Sequence, residues 1–299
     1  MNKNIHFRGV ILAGVLLASS LVAVTSADTS AAADNINLTL TPVSKSYTLD
    51  AGSVTRDEIK IINDGETAYT FSVYSKPYFV SDDNYTADFT SSRTSSDINQ
   101  WLKLDKSEYS IQPHETVTIP YTMTVPVGAA PGGHYGVLFA EANPLRDTLD
   151  GQSGIVTSQR VGTLLYATVK GSYRMGGTVS SHSIPFFQFN PPLEARLALQ
   201  NSGNADYMAK TVMDVKDIFG NTKYTQANEY RVLADTTRNI TFEWKTLPRF
   251  GLYKVSVSAE FLDEHTHRTS YVLMAPAWSY LMGVLVVLAG ITYVVQKRR

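Results

Sequence analysis

Residues 116–125 read Thr116-Val117-Thr118-Ile119-Pro120-Tyr121-Thr122-Met123-Thr124-Val125. Every odd position is apolar and every even one is Thr or Pro. Side chains alternate between the two faces of an extended chain, so this stretch predicts a strand with one face in a core and one in water. Pro120 has no N–H to give to a ladder, which predicts a sheet edge or a local irregularity there. Outward from this strand the same alternation recurs. It is present at Ile36, Leu38 and Leu40, in Thr67–Tyr74 with Tyr69, Phe71 and Val73 on one face, and in Gly251–Phe261 with Tyr253, Val255, Val257, Ala259 and Phe261 on one face. Shorter runs at Glu58–Ile62, His134–Glu141, Leu164–Tyr173, Glu194–Gln200, Ala209–Lys216 and Asn239–Lys245 predict further strands. Asn63-Asp64-Gly65-Glu66 carries the residues of a hairpin turn and predicts that the flanking strands pair.

The strands fall into two related sets. Ile61-Ile62-Asn63-Asp64-Gly65 parallels Leu199-Gln200-Asn201-Ser202-Gly203, Thr118–Pro126 parallels Thr241–Pro248, and Gly133–Val137 parallels Phe250–Val255. This weak internal repeat predicts an all-β chain of two tandem β-sandwiches of like topology, over residues 34–175 and 176–274.

The two ends of the chain are different. Ala277–Val295 contains nine Leu, Ile or Val residues, and no charge lies between Arg268 and Lys297. As a helix these residues rise about 28 Å, close to the hydrocarbon thickness of a bilayer. Trp278, Tyr280 and Tyr293 stand near its two ends, where amphipathic rings prefer the headgroup level. Lys297, Arg298 and Arg299 follow as a basic tail. The expectation is a transmembrane helix over 275–296 with residues 297–299 in the cytoplasm. At the other end, Met1–Arg8 is a short basic region, Gly9–Val24 is apolar and small residues follow, which predicts a secretory signal peptide over 1–33. Together these ends predict a single-pass cell-membrane protein with its β-domains outside.

Composition bounds the partners. Five of the 26 Lys and Arg residues lie in the first 27 positions and the last three, whereas all 27 Asp and Glu lie between. The acidic middle segment argues against nucleic acid as a partner. With no cysteine in the chain, thiol catalysis and thiolate metal sites are excluded, and the absence of disulfides in an exported protein points to a bacterial surface. No nucleophile elbow, metalloprotease motif or phosphate loop is present, so neither catalytic residues, metal ligands nor a cofactor are expected. His265 and His267, Asp82 and Asp83, and Asp147 and Asp150 lack the spacing of dedicated cation sites. Lys76–Gln100 reads as a long polar loop, closed by a short helical turn before Trp101. Tyr78, Phe79, Tyr85 and Trp101 are its ligand-binding candidates: their rings either stack on sugars or pin the loop to the domain.

Taken together, the chain resembles the WxL-interacting proteins of Gram-positive bacteria. The residues that carry this are Asn37–Thr41 with Tyr47 and Gly52, Ile59–Gly65, Tyr109–Pro113 with Thr116–Pro126, Pro131–Gly136, Val161–Leu165 and the terminal helix with its basic tail. The second half departs further from that pattern. The resemblance implies an immunoglobulin-like fold for both sandwiches, with peptidoglycan as the partner of the first and other surface proteins as partners of the second. It assigns no ligand-contact residue. A structural accessory subunit of a membrane complex, with no soluble ligand, is the alternative function.

Overall fold

The computed structural model describes residues 37–143, 158–246, 248 and 250–298. The expected signal peptide, Asp147, Asp150 and Arg299 lie outside them. The described chain is predominantly β.

The first half contains β1 (Leu38–Thr41), β2 (Ser44–Leu49), β3 (Val54–Asn63), β4 (Tyr69–Pro77), the ribbon strands β5 (Phe79–Val80) and β6 (Ala87–Asp88), and the single turn α1 (Ile98–Trp101). It continues with β7 (Leu102–Leu104), β8 (Glu108–Ile111), β9 (Thr116–Thr124), β10 (Gly132–Asn143) and β11 (Arg160–Val169). Two sheets form, in the orders β1-β3-β9-β7 and β2-β11-β10-β4-β8. Their inward faces share one core that includes Ile59, Ile61, Phe71, Ile119, Met123, Leu138 and Leu165. The apolar positions of β9 point into it as the alternation predicts, because the pleat puts every second side chain on the same face. Pro120 faces Glu58 of β3, and on its other side the pairing with β7 ends one residue away at Tyr121. The missing N–H therefore falls where no ladder bond is needed.

The second half contains β12 (Gly177–Ser183), β13 (Phe187–Gln188), β14 (Leu193–Asn201), β15 (Tyr207–Asp217), β16 (Thr222–Val232), β17 (Thr236–Trp244), β18 (Gly251–Phe261) and β19 (Glu264–Met274). Its sheets run β12-β14-β17 and β13-β19-β18-β15-β16 and share a separate core. The strand order repeats that of the first half, save that β7 has no counterpart. In each five-stranded sheet the first strand pairs in parallel with the last (β2 with β11, β13 with β19), and the remaining neighbours are antiparallel.

The predicted hairpin across Asn63–Glu66 is not formed. β3 pairs with β1 and β9, whereas β4 belongs to the other sheet, so the turn carries the chain across the core. Both flanking strands bury one face, and each face finds its partner in the opposite layer rather than beside it. Asn63 makes the crossing: it is fully buried, its amide donates to the carbonyls of Thr67 and Gln112 at 2.8 and 3.0 Å, and its oxygen accepts from the Gly65 amide. Asn201 does the same between β14 and β15, donating to Ala205 and Val232 at 2.9 and 3.1 Å and accepting from Gly203. The sequence repeat is thus a repeated buried amide that satisfies three backbone groups.

Two of the longer strands, β12 and β16, were invisible to alternation: β12 is exposed along most of its length. β16 is half-exposed along most of its length, with only Val232 buried, so it carries no apolar period.

Helix α2 (Ala277–Arg298) leaves β19 after two residues and is long and apolar enough to cross a membrane; Lys297 and Arg298 lie in its last turn. Trp278 and Tyr293 are exposed, and Tyr280 donates to the Leu273 carbonyl at 3.0 Å.

Replacing Asn201 with Ala leaves two buried carbonyls without donors, which is expected to cost about 2–4 kcal/mol. The urea midpoint of the variant should fall accordingly, and Asn63→Ala, whose bonds to Thr67 and Gln112 are only part-buried, should lower it less.

Candidate functional site

The aromatic side chains proposed for sugar stacking turn inward. Tyr78, Phe79 and Trp101 are buried and Tyr85 is half-buried. Trp101 packs in the first core, its ring 4.6 Å from that of His134. Tyr78 packs edge-on to Tyr166 at 6.0 Å, and Phe79 lies 5.9 Å from Tyr135. Their faces are covered by protein, so the stacking role falls and the pinning role is the one the geometry supports. Tyr78, Phe79 and Tyr85 serve a contact between the two halves, whereas Trp101 belongs to the core of the first.

That contact is a third apolar cluster. Tyr78, Phe79, Val80, Tyr135, Val137, Phe139 and Tyr166 from the first half enclose Leu233 and Ala234 from the second. Tyr135 accepts from the Ala234 amide at 3.1 Å, and Tyr85 accepts from the Leu233 amide at 2.8 Å while its hydroxyl lies 2.7 Å from that of Thr236. Burial raises the pKa of Tyr135, Tyr166 and Tyr85, so each stays a neutral phenol. The charges are paired: Arg231 bonds to buried Asp206, donates to Ser46 at 2.9 Å and lies over the Tyr166 ring at 4.2 Å. Arg238 covers Tyr85 at 4.1 Å and Arg93 covers Phe79 at 4.4 Å. Two backbone bonds close the seam, Gly133 N–H to the Asn204 carbonyl at 2.8 Å and Asn239 N–H to the Asp83 carbonyl at 2.7 Å. Gly132 has φ +126°, and a Cβ there would collide with the Asn204 carbonyl, so only glycine lets the start of β10 approach the β14–β15 turn this closely.

Local sequence did not reveal Tyr135, Tyr166, Asp206 or Arg231 as a group. Their partners lie 25 to 185 positions away, and pairing at that range leaves no periodic signal.

His134 is the third residue of β10 and is buried. Its Nδ1 lies 2.7 Å from Asp97 Oδ1 and its Nε2 lies 2.8 Å from the Ala130 carbonyl oxygen. Both partners accept, so both ring nitrogens must carry hydrogen and the imidazolium is favoured. Burial opposes the charge, but the Asp97 and Ala130 bonds outweigh it and the pKa is raised. The Lys45–Asp57–Tyr47–Tyr121 cluster likewise connects the two sheets of the first half: Tyr47 donates to Asp57 at 2.7 Å and lies 2.6 Å from the Tyr121 hydroxyl. Among the described residues, no three His, Cys, Asp or Glu side chains are grouped to hold a metal. His265 and His267 are exposed and bond to Glu260 and Thr269, not to a common centre.

Beside the seam lies an open polar cleft of about 320 Å³. Asp82, Asp83 and Arg93 line it from the first half, and Gln200, Asp235 and Thr237 from the second. Carboxylate, guanidinium, amide and hydroxyl groups are thus presented together on a surface that neither half builds alone. Asp82 is held ionised by bonds from Thr86, with those of Asn84 and Tyr85 adding to them.

No family model and no curated protein matches the chain. Among solved structures it is similar to the class 5 fimbriae chaperone CfaA, at 12% identity and TM-score 0.42, over 80% of this chain and 100% of that one. It is also similar to a structure of Salmonella enterica SafA pilin in complex with the SafB chaperone (12%, TM-score 0.41, 79% and 97%) and to the E. coli chaperone DraB (10%, TM-score 0.40, 81% and 97%).

Two outcomes follow from this geometry. Tyr135→Phe removes the acceptor of the Ala234 amide and should lower stability by about 1–2 kcal/mol, read from the urea midpoint. Because the folded His134 titrates above its ordinary value, the stability it adds is complete below about pH 6.5 and is lost as pH rises through the folded pKa. The thermal midpoint should therefore fall across that rise, and Asp97→Asn should flatten the fall.

Proposed function

We propose that the chain is a membrane-anchored surface protein of two tandem immunoglobulin-like sandwiches that works by binding rather than by turnover. In this reading α2 spans the cell membrane, the basic tail is cytoplasmic and the sandwiches stand outside. The ligand is cell-wall peptidoglycan or a partner surface protein. The observation that carries the reading is the polar cleft where the halves meet. Its donors and acceptors are set by a seam of buried tyrosines and paired charges, so a ligand meets groups whose ordering has already been achieved. The resemblance noted from the sequence supports peptidoglycan. The glycan contact moves from the loop aromatics, which are covered, to the polar groups of the same loop.

Full-length protein in lipid nanodiscs should be retained by purified peptidoglycan. Arg93→Ala and Asp235→Asn are expected to weaken retention roughly tenfold, at about 1.4 kcal/mol; the unfolding midpoint should be unchanged for Asp235→Asn, whereas Arg93→Ala, which uncovers Phe79, should also lose about 0.5–1 kcal/mol of stability. Retention that is absent for the parent, together with recovery of one stoichiometric membrane partner, would replace this reading with that of an accessory subunit.

A further inference from the structure

The end of the second half from which α2 departs carries an apolar rim. Phe186, Phe187 and Phe189 precede β14, Ile218 and Phe219 occupy the turn between β15 and β16, and Phe250 opens β18. All six are at least half exposed, Phe219 at 83%. Register places them at the same end of the five-stranded sheet. Phe187 pairs with Leu273, Gly251 with Met274, and Asp217, which begins the exposed turn, with Tyr253. These segments are far apart in sequence and have no common alternation to explain them. The turn itself is firmly built: Asp217 accepts from the Phe219 and Asn221 amides at 2.9 Å, and the Phe219 that it carries is exposed. A group of large apolar side chains on a folded surface marks a contact site.

The first turn of α2 is part of the same rim. Phe187 and Phe189 meet Tyr280 edge-on at 5.6 and 4.8 Å, and Phe250 meets Trp278 at 6.1 Å. Only Ala275 and Pro276 separate the last strand from the helix, so the rim cannot stand away from whatever surrounds α2.

We infer that this rim is immersed in the headgroup layer of the bilayer that α2 enters, so that the second half rests on the lipid and is not merely tethered above it. The inference depends on the reading of α2 as a membrane span. Aromatic rings favour this layer, where an apolar face and water are both within reach. The occupant is lipid because the rim is continuous with the helix entry point, which places lipid beside it before any protein partner arrives.

The natural chain has no cysteine, so single labels are clean. Phe186→Cys, Phe219→Cys and Phe250→Cys are labelled with an environment-sensitive dye in the full chain, in vesicles whose lipids carry bromine at a shallow or a deep acyl position. Glu66→Cys, on an exposed turn of the first half, is the aqueous reference, and Leu288→Cys in mid-α2 is the deep one. Shallow bromine is expected to quench all three rim labels several-fold more than the Glu66 label. Quenching at Leu288 with rim labels no different from Glu66 would overturn the inference while leaving the anchor standing. Rim labels hidden from an aqueous quencher yet untouched by bromine would also overturn it, by assigning the rim to a protein partner. An unquenched Leu288 label would remove the anchor reading and this inference with it. The three rim positions come from three separate segments, so a variant that fails to fold leaves two independent readings.

Discussion

The orientation of the two halves depends on one desolvated seam. The chain has no cysteine, no group of metal ligands joins the halves among the described residues, and each half has a core of its own, so their relation is set by the tyrosines that surround Leu233 and Ala234. Two backbone amides of that segment have only phenol oxygens as partners. A buried amide without an acceptor is expensive, so sliding the seam breaks bonds before it gains any. Arginines stacked on the outer rings shield the cluster from water and keep Asp206 paired. The cleft beside the seam keeps its groups in place because the seam does.

Within each half the same economy holds on a smaller scale. A single buried asparagine satisfies the backbone where the chain crosses between layers, once at Asn63 and once at Asn201. The alternating strands on both sides then face each other across the core. The strand orders of the two halves match around these points, so the internal repeat extends to topology and not only to residues.

Much of this was legible in the sequence, for a physical reason. The strands that bury one face (β9, β14, β15, β18) advertise it through alternation, and their ends fell within a few residues of the expected positions. The turn chemistry at Asn63 was legible too, but not which strands it joins, because Asn-Asp-Gly reports a local backbone bend and the pairing is settled by distant apolar faces. β16 was missed since it offers no apolar face to detect. The aromatics of residues 76–101 were recognised as a group, yet a sequence does not say whether a ring faces water or another ring. Tyr135, Asp206 and Arg231 share no local pattern, and the site they support depends on contacts between halves.

The short joint between β19 and α2 has a mechanical consequence. Ala275 remains bonded to Gln188, Pro276 restricts the residue before it, Ser279 donates back to the Pro276 carbonyl, and Tyr280 reaches up to Leu273. A joint stitched on both sides of a proline has no free swivel. Twisting or dragging the β layers therefore applies torque directly to the helix, so the chain behaves as a lever with its fulcrum at the strand end and not as a weight on a string.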